Sequence, residues 1–516
     1  MKMEPLGLAA VYDQILSARG TIYELGQPTP LEELMLGETT LFLKREDLPP
    51  MHAYKWRGAY HRIAQETGGE VKVVAASAGN HAQGVAMAAA RREGCHALIF
   101  MPRNTPLLKQ EAVRRLGGDS VEIELVGDRF DEALAAAEAC AEKEGRTLIH
   151  PYDDLAVIGG QGTIADEVVM SGKAPFDAAY LQIGGGGMAA GVSAWLKRYY
   201  PEIKIYGVEG VDQASMGAAV RVGKPVDLEE LDVFCDGTAV RRAGEVTFSL
   251  CRQLVDEFLT VTNEEVCAAL QFLWEKRRVI TEPAGAMGLA GWLKHREVHA
   301  DHRRILIVLC GANMDFAQLS RVVQGARIGS AKRRYLQFAI EERAGTLLQL
   351  LRDLRTEASI VEFQYGKTHE EEAHPVIGFD ALEETHTAMV DRWEKAGVVV
   401  EDVTDAPDVR FRAIPLRPDL AAFPLFVEVE FPERAGALMQ FLESAPLEAS
   451  IIYFNYQYSG ERVGRALIGF DFPNEDALEK FAQLCLEEES GLRRTQRLSR
   501  ERMARLCASP GSQQNG

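Results

Sequence analysis

Positive charge is in short supply: 57 Lys and Arg stand against 76 Asp and Glu, a formal net charge of −19. A chain this acidic repels phosphate backbones, which excludes nucleic-acid binding driven by counterion release. Paired cysteines are missing too. The eight cysteines, at 95, 140, 235, 251, 267, 310, 485 and 507, form no Cys-x-x-Cys and keep no regular spacing. That argues against a disulfide framework and a zinc site, and suits a reducing compartment. No apolar run approaches the roughly 18 residues of a membrane span; the longest, such as 305–310, have strand length. The opening MKMEPLGLAAVYDQ has neither the apolar core of a secretory signal nor the arginines of a transit peptide. These absences leave a soluble, cytoplasmic protein that handles small molecules as the expectation, with no membrane or nucleic-acid partner.

What is present is globular. Apolar residues make up 47% and charged residues 26%, the balance of a chain that buries cores rather than staying disordered. At roughly 100–200 residues per domain, 516 residues imply about three units. From about 71 to 310, short β-branched runs at 71–76, 97–101, 121–126, 179–183, 203–208 and 305–309 alternate with Ala-rich stretches such as 129–144, where Leu134, Ala137 and Cys140 keep helical spacing. Such alternation predicts parallel strands with crossover helices, and ligands beyond the carboxyl ends of the strands.

After about 333 the chain repeats itself. Residues 335–380 align with 426–471 at a constant offset of 91: Glu342-Arg343-Ala344-Gly345 with Glu433-Arg434-Ala435-Gly436, Ser359-Ile360 with Ser450-Ile451, Phe363 and Tyr365 with Phe454 and Tyr456, and Ile377-Gly378-Phe379-Asp380 with Ile468-Gly469-Phe470-Asp471. Each copy reads as strand (336–340; 426–430), helix (346–354; 437–442), strand (359–365; 450–456), strand, helix, a split βαβ pattern of ferredoxin-like type. From Gly491 the chain carries six Arg and one Glu; we read it as a solvated helix end and a disordered terminus.

Three segments carry chemistry. Gly184-Gly185-Gly186-Gly187-Met188 lies between an apolar strand and a helical stretch. Successive glycines there expose backbone N–H groups at a helix N-terminus, a phosphate cradle unless the loop is merely a flexible turn. No Gly-Lys-Ser/Thr follows, so it is not a Walker loop. Ser77-Ala78-Gly79-Asn80-His81-Ala82-Gln83-Gly84 also ends a strand and opens a helix; it reads either as a helix cap or as a set of donors for a carboxylate, with Asn80 able to bond a planar hydroxyl. Lys55, in Tyr54-Lys55-Trp56-Arg57-Gly58-Ala59, is by itself a surface charge and beside a phosphate cradle a Schiff-base lysine.

Together these resemble the fold-type II pyridoxal-phosphate enzymes, and most closely the biosynthetic threonine deaminases. The resemblance rests also on Lys44-Arg45-Glu46-Asp47, Thr281-Glu282-Pro283-Ala284-Gly285-Ala286 and Cys310-Gly311-Ala312-Asn313. It implies an α/β catalytic domain with parallel sheets over 1–328, two ACT-like α+β regulatory modules at 333–420 and 423–500, and a disordered tail from 501. It implies that Lys55 holds pyridoxal 5′-phosphate and removes the substrate Cα proton. Gly184, Gly185, Gly186, Gly187 and Met188 would grip the phosphate, Asn80 the 3′-hydroxyl, and Cys310 would face the ring nitrogen. Ser77, Ala78, Gly79 and His81 would bind substrate. The family usually has Ser where this chain has Cys310; both are neutral near pH 7, which favours elimination over transamination. The implied reaction takes L-threonine to 2-oxobutanoate and ammonia, and L-serine to pyruvate, at the first step of isoleucine synthesis, with isoleucine inhibiting, valine opposing it, and a homotetramer as the assembly. Glu209, after a strand, is weighed as a cation ligand as in some relatives, but a lone carboxylate does not make a site and no metal is expected. A serine or threonine racemase or another fold-type II lyase is the alternative, although racemase relatives carry a serine at the position of Ala78; a catalytically dead amino-acid sensor is the other.

Overall fold

The runs between 71 and 310 fold as strands and crossover helices. In chain order the strands are β1 (Leu31–Leu36), β2 (Thr39–Arg45), β3 (Val71–Ala76), β4 (Cys95–Met101), β5 (Val121–Leu125), β6 (Thr147–Leu148), β7 (Ala178–Gln182), β8 (Lys204–Gly210), β9 (Glu257–Val261) and β10 (Arg304–Leu309). They form a six-stranded sheet of order β1-β2-β10-β7-β8-β9 and a four-stranded sheet of order β5-β4-β3-β6. Every pairing in them is parallel except the hairpin β1–β2. Parallel sheets need both faces covered, and β10 shows it: all of Ile305–Leu309 is buried. This computed structural model describes residues 7–497 apart from 49, 128, 331, 344, 353–357, 411, 433–448, 458–462 and 485–493. The chain folds as two units, Met1–Gly329 and Ser330–Gly516. Among the described residues no helix is long and apolar enough to cross a membrane.

The helix read at 129–144 spans Phe130–Glu144 and stops at Gly145, whose φ of 64° ends it in the left-handed region. Two elements of the six-stranded sheet escape periodicity. The β1–β2 hairpin joins the sheet through β2, whose Leu41–Leu43 are buried beside β10. Edge strand β9 shows only Val261 fully buried, so its pattern is too weak to mark a strand.

In the second unit the strands are β11 (Arg333–Glu341), β12 (Ser359–Gly366), β13 (Glu372–Ala373), β14 (Val376–Asp380), β15 (Val399–Asp402), β16 (Pro424–Pro432), β17 (Ser450–Gln457), β18 (Val463–Asp471) and β19 (Arg494–Arg497). They make one antiparallel sheet, β13-β11-β14-β12-β17-β18-β16-β19, with β15 also on β11. The 91-residue offset is written into its register. Tyr335 pairs with Gly378 and Phe426 with Gly469; bulges follow Ile360 and Ile451 alike. Strands β12 and β17 join the copies antiparallel, Phe363 opposite Tyr456 and Tyr365 opposite Phe454, so Gln364 faces Asn455, its own counterpart in the repeat. Phe338, Phe363, Phe379, Phe454 and Phe470 fill the core of this unit.

The first copy's helix is Thr346–Arg352, and residues 353–357 beyond it lie outside the described residues, as do 433–448, which include the Glu433–Gly436 motif and the helix expected at 437–442. The basic segment differs from its reading. Arg494–Arg497 is a strand, not a helix end, and pairs with β16 through Val427–Glu430: the ladder uses backbone groups, so side-chain charge on an edge strand does not prevent it. The tail from 501 lies outside the described residues.

Candidate active site

Three strand ends converge. β3 ends just before Ser77, β7 just before the glycines, and β10 just before Cys310. Between them opens a cavity of about 450 Å³ whose lining includes Lys55, Ser77, Ala78, Gly79, Asn80, His81, Gly184, Gly185, Gly186, Gly187, Met188 and Cys310. Every residue singled out from the sequence for cofactor or substrate therefore borders one space.

Lys55 reaches it because the loop before helix Trp56–Ala64 is tied to the end of β10. The Tyr54 N–H donates to the Cys310 carbonyl at 3.1 Å, the Ala312 N–H donates to the His52 carbonyl at 2.8 Å, and Ala53 bridges Gly311. The buried Arg57 anchors the helix. Its guanidinium donates to Glu46 at 2.9 and 3.0 Å, to Glu167 at 2.6 and 3.1 Å and to Thr163 at 3.0 Å, and Lys44 donates to Glu167 at 2.5 Å. The Lys-Arg-Glu-Asp segment thus serves a buried ion network behind the site. Gly84 lets helix Asn80–Arg91 lie against this loop, since a Cβ there would sit 3.1 Å from the Lys55 carbonyl carbon and 3.0 Å from the Trp56 nitrogen.

The Lys55 amine donates to the Tyr54 hydroxyl at 3.0 Å. Burial pulls its ammonium down, but Tyr54, Cys310 and Glu282 act the other way and hold it above the ordinary lysine range. Cys310 is 4% exposed; burial, reinforced by Glu282, pushes its thiol up to about 12, so it is neutral.

The tetraglycine loop has no room for side chains. A Cβ on Gly184 would come within 2.9 Å of Thr238 backbone, and one on Gly185 within 2.2 Å of the Tyr152 ring. Gly186 has φ +94° and opens helix Gly187–Tyr199. Its first N–H groups lack intrahelical acceptors. Thr247 Oγ1 donates to the Gly185 carbonyl at 2.6 Å and holds the loop's shape.

Around Ser77 the donors are also preset. The Gly79 N–H donates to Ser77 Oγ at 3.1 Å. Asn80 Nδ2 donates to both Glu282 oxygens at 2.8 and 3.0 Å while its Oδ1 accepts from Asn313 at 2.8 Å. The His81 ring does not face the cavity as a ligand: its Nε2 is 2.7 Å from the Ile149 carbonyl, and burial lowers it to about 3, so it stays neutral. A substrate contact through His81 is left to its backbone. Sequence reasoning missed Glu282, which lines the cavity and is pushed up to about 7 by burial and then by Asp236; its place in the Thr281–Ala286 motif was the available signal. Glu209 lies within β8, not after it. Each of its oxygens accepts a backbone N–H, from Met216 and Gly217 at 2.8 Å, so the carboxylate caps helix Ser215–Val222 rather than offering itself to a cation.

The geometry has counterparts. The family described as pyridoxal-phosphate dependent enzyme matches residues 22–311. The C-terminal regulatory domain of threonine dehydratase matches 324–411 and 424–496. An L-threonine dehydratase biosynthetic IlvA of Haemophilus influenzae is 38% identical over 475 residues, covering 90% of this chain and 91% of that one. The chain belongs to the biosynthetic threonine dehydratases. It is accordingly a pyridoxal-phosphate-dependent lyase with a regulatory region. Among solved structures, the processed threonine deaminase isoform 2 of Solanum lycopersicum is 37% identical with a TM-score of 0.57, covering 62% of this chain and 94% of that one. Maize serine racemase is 29% identical with a TM-score of 0.55, over 60% of this chain and 96% of its own. As a threonine dehydratase family member the chain needs room for pyridoxal phosphate, and its residues fit. The glycine cradle is one that any Cβ would fill, the lysine amine is hydrogen-bonded to a phenol rather than ion-paired, and the group at 310 is neutral.

Proposed function

We propose that this enzyme converts L-threonine to 2-oxobutanoate and ammonia, the water lost with the β-hydroxyl being taken up again when the released enamine tautomerises and hydrolyses, that L-serine follows the same route to pyruvate, and that isoleucine and valine act through the second unit. The supporting observation is the convergence of Lys55, the Ser77–His81 turn, the glycine loop and Cys310 on one cavity in a chain that also carries the regulatory region. Pyridoxal phosphate, when bound, supplies an electron sink conjugated to the substrate Cα.

The chain's own residues do the rest. Lys55 Nζ would hold the cofactor, and its amine would take the substrate Cα proton; its burial keeps water from competing for that proton. The N–H groups of the Gly184–Met188 loop hold the phosphate at the start of a helix whose dipole favours it. Asn80, held on both sides by Glu282 and Asn313, presents its amide to the 3′-hydroxyl. Ser77 with the Ala78, Gly79 and His81 backbone orients the substrate carboxylate. The neutral Cys310 thiol, which lines the cavity, would meet the cofactor's ring nitrogen without donating charge. Ala78 offers no opposite-face base, which disfavours racemisation.

We further propose a catalytic domain at 1–328, modules at 333–420 and 423–500, and a cytoplasmic homotetramer. An effector acts only by binding one state better than another. Kinetics with threonine and serine, with and without isoleucine and valine, test the reading on the full chain, on Lys55→Ala and on a chain ending at 329. Lys55→Ala should lose turnover and the truncated chain its isoleucine response. Near-normal 2-oxobutanoate formation by Lys55→Ala, or equal inhibition of the truncated chain, would refute it.

A further inference from the structure

Away from the cavity, three histidines gather where helix Pro283–His295 ends and the chain turns towards β10. His295 closes the helix, and His299 and His302 follow in the turn. The His295 and His299 ring centroids lie 4.5 Å apart, and those of His299 and His302 5.0 Å apart and nearly parallel. Tyr206 packs on His295 at 5.2 Å and on His299 at 5.4 Å. Glu257, the first residue of edge strand β9, brings its carboxylate to 3.9 Å from His295 Nε2.

We propose that Glu257, His295 and His299 form a binding site for one divalent transition-metal ion of the zinc, nickel or cobalt class. Their ligand atoms all lie within 4.8 Å of one another. A tetrahedral ion with bonds of about 2.0–2.1 Å draws its ligands to within about 3.4 Å, a closure that rotation of the half-exposed Glu257 and His299 side chains supplies. Two imidazoles and a carboxylate suit this class rather than calcium or magnesium.

The surroundings are prepared for it. His295 Nδ1 is 3.4 Å from the hydroxyl of the buried Tyr180. Donating there, it leaves the Nε2 lone pair facing Glu257, the outer contact that orients a metal-bound histidine. His302 Nδ1 is buried with no hydrogen-bond partner among the described residues, so the cluster holds unspent ligand capacity. His299 also belongs to a second set with Asp301 and His302. We assign the ion to the first set because Glu257 and His295 are fixed at the ends of a strand and a helix, whereas Asp301 is in an exposed turn. Bound there, the ion ties β9, paired on one side only by β8, to the turn that feeds β10. The zinc-site argument from cysteine spacing does not reach this cluster, because no cysteine takes part.

The test uses the full-length, cofactor-loaded enzyme after treatment with chelator, titrated with Co²⁺ and Zn²⁺. One Co²⁺ per chain should bind with visible ligand-field absorption, and Zn²⁺ should displace it and raise the melting temperature. His299→Ala and Glu257→Gln should each weaken binding at least tenfold and abolish the rise in melting temperature, while Asp301→Asn should do neither. Glu257→Gln, at an exposed position, keeps the test informative if His299→Ala folds poorly. Ligand-field absorption that survives unchanged in Glu257→Gln, its absence from the parent enzyme, or its loss in Asp301→Asn alone would overturn the assignment.

Discussion

Replacing Arg57 with Met probes the network that holds the Lys55 loop. The wild-type cluster balances two cations, Arg57 and Lys44, against two carboxylates, Glu46 and Glu167, all with side chains no more than 2% exposed. Arg57→Met removes five hydrogen bonds and leaves two buried carboxylates with one lysine between them. Breaking a buried pair from one side costs about 3–5 kcal/mol, because a charge is stranded out of water. At about 1.4 kcal/mol per tenfold, amide hydrogen exchange in helix Trp56–Ala64 should accelerate by roughly two to three and a half powers of ten. Adding Glu167→Gln to Arg57→Met restores the balance, one cation against one carboxylate, and should recover part of the protection. A cost under about 1 kcal/mol, the level of an exposed pair, or a double variant worse than the sum of the singles, would refute the account of Lys44, Glu46, Arg57 and Glu167 as one neutral unit.

Gly185→Ala places a methyl 2.2 Å from the Tyr152 ring; overpacking of about 1–3 kcal/mol should weaken pyridoxal phosphate binding by roughly five- to a hundredfold, measured by titrating cofactor into apoenzyme. Glu209 is pushed by burial from an ordinary 4.5 up to about 7, so the folded state holds its proton more tightly than the unfolded one. Its contribution is full below about pH 4.5 and is lost as the pH rises through about 7. Glu209→Gln, although it lacks one acceptor for the Met216 and Gly217 N–H groups, should therefore show a smaller fall in melting temperature between about pH 5 and pH 8 than the parent enzyme; an unchanged fall would count against the reading.

What could be read from the sequence was what repeats locally. The strand-then-helix settings of Ser77 and Gly184 carried their own periodicity, so their places at strand ends were legible. Arg57 and Glu167 are 110 positions apart, and nothing in either neighbourhood says that they meet. The same holds for Asn80 and Glu282, 202 positions apart, so the carboxylate that fixes the Asn80 amide had no role before the fold was seen. β9 and Arg494–Arg497 were missed for a different reason: edge strands are held by backbone bonds and need not alternate apolar side chains.

The pairing of Gln364 with Asn455 has a further consequence. Because each copy presents the same stretch to the other in opposite directions, the β12–β17 seam has the geometry of a self-complementary dimer contact. A polypeptide carrying one copy would expose that strand and find its partner only in another molecule, at a strength set by dilution. With both copies on one chain the meeting is intramolecular, at a fixed effective concentration. Descendants of the two halves are then free to diverge, and the two faces of the seam, once bound to be identical, can come to read different molecules.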